Sequence, residues 1–251
     1  MSGIVYVVGL GPGAACHITP AVSEALEQAT DVVGYHRYLE RLPKREGQTH
    51  HASDNRVERE RAARALSLAH TGRRVALVSS GDPGVFAMAS ALFEVLEESA
   101  PPLQEVEVQV MPGITAILAA SARVGAPLGH DFCTINLSCN LKPWSLLERR
   151  IRSALQGDFA IAFYNPRSKH RPDDLDKALD LIRAVSDAER PVVFARAVTT
   201  PEESISVVNI GTARGAMADM RTVVLVGSSL TRVISRPRGE AIVYTPRSVQ
   251  R

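Results

Sequence analysis

The sequence predicts an α/β protein of two domains, and three observations carry that reading. Short β-branched runs alternate with helix-patterned stretches in the N-terminal half, as parallel βαβ units require. Three glycine-rich turns stand at the carboxyl ends of strands in or closing that half. After Pro112 the strands come closer together and long helical patterns thin out, which marks a second domain with a more mixed sheet. The boundary falls at Met111–Gly113, giving domains over residues 1–112 and 113–246.

The elements follow in order. The run Ile4–Gly9 is a buried strand and not a signal peptide, since no basic segment precedes its apolar part. Thr19-Pro20 opens a helix, with Thr19 able to cap and Pro20 suited to the first helical position. Val22, Ala25, Leu26 and Ala29 continue it at helical spacing. Asp31–Tyr35 is the second strand, and the stretch holding His50-His51 reads as a polar loop. Asn55 with Glu58 resembles a capping box for a helix ending near Gly72. Arg74–Ser79 is the third strand. Pro83-Gly84 precedes a helix whose inward face is Phe86, Ala89, Leu92, Phe93 and Leu96. Val106–Met111 closes the first domain. The second holds strand runs at Phe132–Leu137, Phe159–Tyr164, Val192–Ala197, Ser204–Ile210, Thr222–Val226 and Ala241–Tyr244. The tail beyond Tyr244, with Arg247 and Arg251, reads as frayed.

Composition narrows the class. Of 251 residues, 45% are apolar and 22% charged, as in an ordinary soluble globular protein, and the net charge of +2 does not suggest a nucleic-acid partner. No apolar run approaches the ~18 residues of a membrane span. Cys16, Cys133 and Cys139 are an odd number without CxxC spacing, which fits free thiols in a reducing, cytoplasmic setting.

The glycine turns are the candidate ligand loops. Val8-Gly9-Leu10-Gly11-Pro12-Gly13 follows the first strand, and its glycines let backbone turn sharply and approach a ligand. A Rossmann dinucleotide loop fits poorly. Pro12 removes an N–H, and the second strand ends in Tyr35-His36 where an acidic residue would hold a ribose. Ser79-Ser80-Gly81-Asp82-Pro83-Gly84 follows the third strand, with Asp82 either facing a ligand or serving as a helix cap. Met111-Pro112-Gly113-Ile114-Thr115-Ala116 follows the fourth, as a ligand turn or a plain linker. Three such turns at strand carboxyl ends favour a shared crevice.

These motifs, VGxGPG, GDP and PGxT in order, resemble the tetrapyrrole (precorrin) methyltransferase family over nearly the whole chain. The resemblance implies two α/β domains of the tetrapyrrole methylase type with S-adenosylmethionine in the cleft between them, S-adenosylhomocysteine as product, a tetrapyrrole substrate and a homodimer. Within the family, Gly125–Phe132 and Phe163–Ser168 are similar to the branch that methylates ring carbon 17 of a precorrin and contracts the macrocycle. Metal-free and cobalt-bearing substrates both remain open. One departure stands out: Leu137-Ser138-Cys139-Asn140 replaces an LSD pattern, so no aspartate role carries over to Cys139.

By motif, the donor contacts implied are Pro12; Gly81, Asp82, Val85 and Phe86; Thr115 and Ala116; Tyr164 and Asn165; Arg196 and Ala197; and Thr222 with Val223. A sulfonium methyl is already electrophilic, so orientation and exclusion of water supply much of the rate without a metal. The substrate's carboxylate arms need cations, and arginine's fork suits them. His36 and Arg37 form one substrate-binding candidate cluster, His50, His51 and Arg56 a second, and Arg167, Lys169, His170 and Arg171 a third. His130 and Asp131 are candidate acid/base residues or a strand-start cap, and Arg167 is a further catalytic candidate. His50, His51 and Asp54 have loose metal-ligand spacing but no second pair, so no resident metal is expected. Trp144 reads as core. Two other classes compete. A nicotinamide-dependent tetrapyrrole dehydrogenase lacks its acidic residue here, and a non-catalytic tetrapyrrole carrier would need no donor pocket.

Overall fold

A computed structural model describes residues 3–237 and 239–248. The chain divides into two compact units, Met1–Thr115 and Ala116–Arg251. The break falls a few residues beyond the expected boundary because Gly113 is bonded into the first unit through Asp82.

The N-terminal unit contains β1 (Ile4–Gly9), α1 (Pro20–Gln28), β2 (Asp31–Tyr35), α2 (His36–Leu39), β3 (Thr49–Ser53), α3 (Glu58–His70), β4 (Arg74–Ser79), α4 (Met88–Glu98), α5 (Pro101–Gln104) and β5 (Glu107–Met111). Its sheet runs β3-β2-β4-β1-β5, with every pairing parallel. Alternate residues of β1 face opposite ways, as the two-residue period of a strand requires. Tyr6 and Val8 pack with Val22, Leu26 and Leu39 under α1 and α2. Val5 and Val7 pack with Ala62, Leu66, Met88 and Leu92 under α3 and α4. Neighbouring strands β1 and β4 therefore send their chains to opposite faces. The carboxyl ends of strands at such a reversal are the usual ligand position in open α/β sheets.

The C-terminal unit contains α6 (Ala116–Val124), β6 (Gly125–Ala126), β7 (Phe132–Asn136), α7 (Trp144–Gln156), β8 (Ala160–Tyr164), α8 (Asp174–Arg183), β9 (Pro191–Arg196), β10 (Ser204–Asn209), β11 (Thr222–Val226), β12 (Arg232–Ile234) and β13 (Ile242–Tyr244). Its main sheet runs β10-β9-β11-β8-β7. β7 and β8 are parallel, while β11 runs antiparallel to β8 and β9. This is the mixed sheet that the tighter strand spacing suggested. Phe163, fully buried, centres a core with Leu147 and Ile151 of α7 and Leu175, Leu179 and Ile182 of α8. Trp144 packs against that core, with the Lys177 ammonium 5.3 Å from its ring. A small sheet, β12-β13-β6, completes the unit.

The structure corrects several expectations. Residues 49–53 are an edge strand, not a loop; the polar run THHAS hides it. His51 sits there because its Nε2 lies 2.7 Å from buried Asp31, which Arg73 and Thr30 also bond. Burial opposes ionisation, but these partners hold the Asp31 carboxyl below the usual carboxylate range. Asn55 and Glu58 make no capping box. Both side chains accept from the Arg56 N–H, and the helix is entered from Val57, whose side chain caps nothing. Thr19 does cap α1, accepting from the Val22 N–H at 3.3 Å. Phe86 and Phe93 are not inward: they are 48% and 46% exposed, because α4 begins only at Met88. The tail is tied at its start. Thr245 is buried, donates to the Pro127 carbonyl at 2.6 Å and meets Thr231 at 2.8 Å. Arg251 lies outside the described residues.

Candidate active site

In the N-terminal unit the three glycine turns converge at the carboxyl ends of β1, β4 and β5. Gly11 and Gly81 exchange backbone hydrogen bonds at 3.1 and 2.9 Å. A methyl at Gly9 would lie 2.4 Å from the Gly81 carbonyl oxygen, and one at Gly113 would lie 2.2 Å from it. Glycine is obligatory at both positions because the neighbours are backbone. Asp82 joins the second and third turns: its carboxylate accepts from the Gly84 N–H at 2.8 Å and the Gly113 N–H at 2.9 Å. Asp82 thus serves backbone, as the capping alternative allowed, but one of its donors lies in a different loop. Arg41 donates to the Leu10 and Gly13 carbonyls, both at 2.9 Å, and so pins the first turn around Pro12. Burial lowers its pKa. Val85 is half-buried, and Phe86 stands half-exposed in a left-handed conformation at φ 53°. Thr115 is buried at the end of the unit.

In the C-terminal unit the strand ends coincide by register: the carboxyl ends of β7, β8 and β9 and the amino end of β11 share one edge. Tyr164, Asn165, Arg196, Ala197 and Thr222 all stand on it, with Val223 one position into the sheet. The first turn of α6, which opens at Ala116, joins them, since the Ile117 N–H donates to the Tyr164 hydroxyl at 3.3 Å. Asn165, Ala197 and Thr199 are all left-handed, at φ 49°, 48° and 66°. With Phe86, four of the six left-handed non-glycine residues among the described residues lie in or beside the motif loops. Such backbone strain gathers at ligand sites. The side chains of Arg196 and Thr222 are engaged locally with Asp219, at 2.8 Å each. These bonds hold the Asp219 carboxyl below its ordinary range against the opposing effect of burial. Val223 is buried.

The acid/base candidates sit elsewhere. His130 and Asp131 precede β7, at the opposite end of a five-residue strand from Asn136, roughly 15 Å away at strand rise. The His130 Nδ1 accepts from the Asp131 N–H at 2.8 Å, so the imidazole caps the strand start. The structure does not bring this pair to the loop edge.

The cationic candidates separate into exposed and buried. Arg37 is exposed at the end of β2, and His36 lies 3.8 Å from Asp54. His50 bonds Gln48 at 3.1 Å, and burial lowers its pKa. Arg56 is exposed beside Asn55 and Glu58. Ser168 and Arg171 pair across a tight turn that presents Lys169 and His170 to solvent. Arg167 uses Nε on the Pro172 carbonyl at 3.0 Å. Arg171 is different: it is 13% exposed and bonded to backbone, so it is not a free cation for substrate. Cys139, in place of the expected aspartate, donates to Asp174 at 3.6 Å; burial first, then that carboxylate, push its thiol up. Among the described residues no three His, Cys, Asp or Glu side chains gather as a metal site, and no helix is long and apolar enough to cross a membrane.

Sequence reasoning missed Arg41, Arg61, Asn136 and Asp174. Arg61 is buried, bonding Ser53 and the Asp54 carbonyl at 2.8 and 2.6 Å. Nothing local marks such residues: Arg41, Asn136 and Asp174 each act on a loop distant in sequence, and Arg61 on the chain that leads into its own helix.

A parallel sheet with glycine turns at its strand ends is thus followed by a mixed sheet with a strained loop edge. Residues 4–214 match the model of the Tetrapyrrole (Corrin/Porphyrin) Methylases, and the chain belongs to that family. It is 49% identical to the precorrin-3B C(17)-methyltransferase of Sinorhizobium sp, over 98% of this chain and 97% of that one. It is 38% identical to the probable cobalt-factor III C(17)-methyltransferase of Salmonella typhimurium, over 97% and 98%. The crystal structure of the methyltransferase CobJ superposes with a TM-score of 0.92 at 58% identity, covering 98% of this chain and all of that one.

Proposed function

We propose that this chain transfers the methyl group of S-adenosylmethionine to ring carbon 17 of precorrin-3B, with ring contraction to precorrin-4, in corrin synthesis. The observation that carries the reading is the glycine-built turns of the N-terminal unit and the strained loop edge of the C-terminal unit, both occupied by the family's motif residues, joined to full-length similarity to a precorrin-3B methyltransferase. S-adenosylmethionine supplies an electrophilic sulfonium methyl, so a carbon–carbon bond forms as the carbon–sulfur bond breaks and a neutral thioether leaves. The chain's own part is placement. Half-exposed Phe86 offers an apolar surface to an adenine, and Tyr164 and Asn165, both only partly buried, stand on the loop edge where polar parts of the donor would be met. Arg37, Arg167 and Lys169 offer charge to the carboxylate arms. His130 and Asp131 are not assigned a step. The resemblance also supports a homodimer, and the cysteine usage a cytoplasmic enzyme.

Calorimetric titration of the folded protein with S-adenosylhomocysteine tests the donor half; absence of binding removes the methyltransferase reading. Arg167→Glu tests the acceptor half. It is expected to raise KM for the macrocycle about tenfold, one lost ion pair's worth, while S-adenosylhomocysteine affinity stays within about twofold. Steady-state kinetics with both substrates varied read this directly, and an unchanged macrocycle KM would release Arg167 from the role.

A further inference from the structure

Residue type alone assigns Arg171 to the substrate's carboxylates, but its surroundings give it other work. Its guanidinium Nη1 donates to the Leu137 carbonyl at 3.2 Å, to the Asn165 carbonyl at 3.3 Å and to Asp174 at 3.4 Å. The first two acceptors belong to different loops, those leaving β7 and β8. Asp174 is itself 9% exposed and is also approached by Lys177 at 3.5 Å and by the Cys139 thiol. The anchor is therefore a buried carboxylate at the start of α8. The carbonyl that Arg171 holds is that of Asn165, whose φ of 49° lies in the left-handed region. Asparagine tolerates that conformation better than most residues but does not prefer it. The Asn165 side chain reaches Asn136 at 3.2 Å, and Asn136 in turn accepts from the Ser138 N–H at 2.9 Å, so the two loops are fastened twice.

We propose that Arg171, anchored by Asp174, is a positioning residue for the donor side of the site: it fastens the loop after β8 to the loop after β7 and holds Asn165 left-handed. The inference rests on the reading that Tyr164 and Asn165 contact the donor. It separates cleanly from a substrate role, because the two roles move different constants.

The test uses the full chain, with S-adenosylhomocysteine titrated calorimetrically and macrocycle KM measured at saturating donor. Arg171→Met keeps the aliphatic stem and removes the fork. Its expected result is a Kd for S-adenosylhomocysteine raised on the order of tenfold or more, one charge-assisted bond's loss, with macrocycle KM within about twofold. Arg171→Lys should fall between, since an ammonium also donates from a single nitrogen, as Nη1 does, but sits one bond short of its reach. Should Arg171→Met lose its cooperative thermal transition, Asp174→Asn is read in its place with the same expected split. Donor affinity unchanged, or a macrocycle KM that rises instead, overturns the positioning role. Wild-type protein that binds no S-adenosylhomocysteine overturns the functional reading itself, and with it this one.

Discussion

Gly113→Ala is expected to break the crevice of the N-terminal unit and abolish S-adenosylhomocysteine binding. The added methyl would sit 2.2 Å from the Gly81 carbonyl oxygen, 2.8 Å from that of Gly9 and 2.9 Å from the Gly9 Cα. All three are backbone atoms of loops that already bond one another, so no side chain can rotate aside. Overpacking typically costs about 1–3 kcal/mol, and a purely backbone clash belongs at the upper end. About 3 kcal/mol corresponds to more than a hundredfold in affinity if the strain is relieved by opening the loops. Gly84→Ala is the matched control: its methyl would meet only the Asp82 Oδ1, at 3.2 Å. Thermal denaturation beside calorimetry checks both variants. Gly113→Ala with wild-type melting and wild-type affinity would show that the three turns do not pack as described.

Asp82→Ala is the second large effect. It strips the acceptor from two backbone N–H groups at once, on Gly84 and Gly113. The Gly84 N–H is exposed and water can replace its partner. The Gly113 N–H is part-buried, and leaving it unpaired costs about 1–3 kcal/mol. Donor affinity is expected to fall tenfold or more, and Asp82→Asn should recover little, because its amide nitrogen would face one of the two donors. If melting falls while S-adenosylhomocysteine affinity survives, Asp82 is a structural cap and nothing more.

The strands that bury apolar residues on both faces were legible in the sequence: β1, β2, β4, β8, β9 and β11 all read as β-branched or aliphatic runs. β3 was not, because an edge strand half in solvent can hold threonine and histidine, and its one buried polar partner, Asp31, is distant in sequence. β6 and β12 were too short to show a period. The inward placing of Phe86 and Phe93 failed for a related reason. Periodicity assumes a helix beginning at Pro83, whereas a left-handed turn at Phe86 delays it to Met88 and shifts the face.

The glycine turns were legible because glycine is read as geometry: Gly9 and Gly113 sit where no Cβ fits, and Gly81 is left-handed at φ 65°. Cations were less so. Arg167, Lys169 and Arg171 look alike in a string, yet a turn through Ser168 and Arg171 leaves Lys169 exposed and sends Arg171 inward to Asp174. The pair His130-Asp131 shows the same limit. Adjacency suggested a tuned acid and base, but the backbone N–H of Asp131, not its carboxylate, makes the short contact with the ring.

Mass spectrometry of the product formed from S-adenosylmethionine and metal-free precorrin-3B bears most directly on the assigned activity. The expected product is one methyl heavier than the substrate, carries the contracted ring, and appears in step with S-adenosylhomocysteine. Turnover only with the cobalt-bearing counterpart would move the substrate assignment to that branch. Folded protein that binds S-adenosylhomocysteine yet methylates neither macrocycle would contradict the proposed function outright.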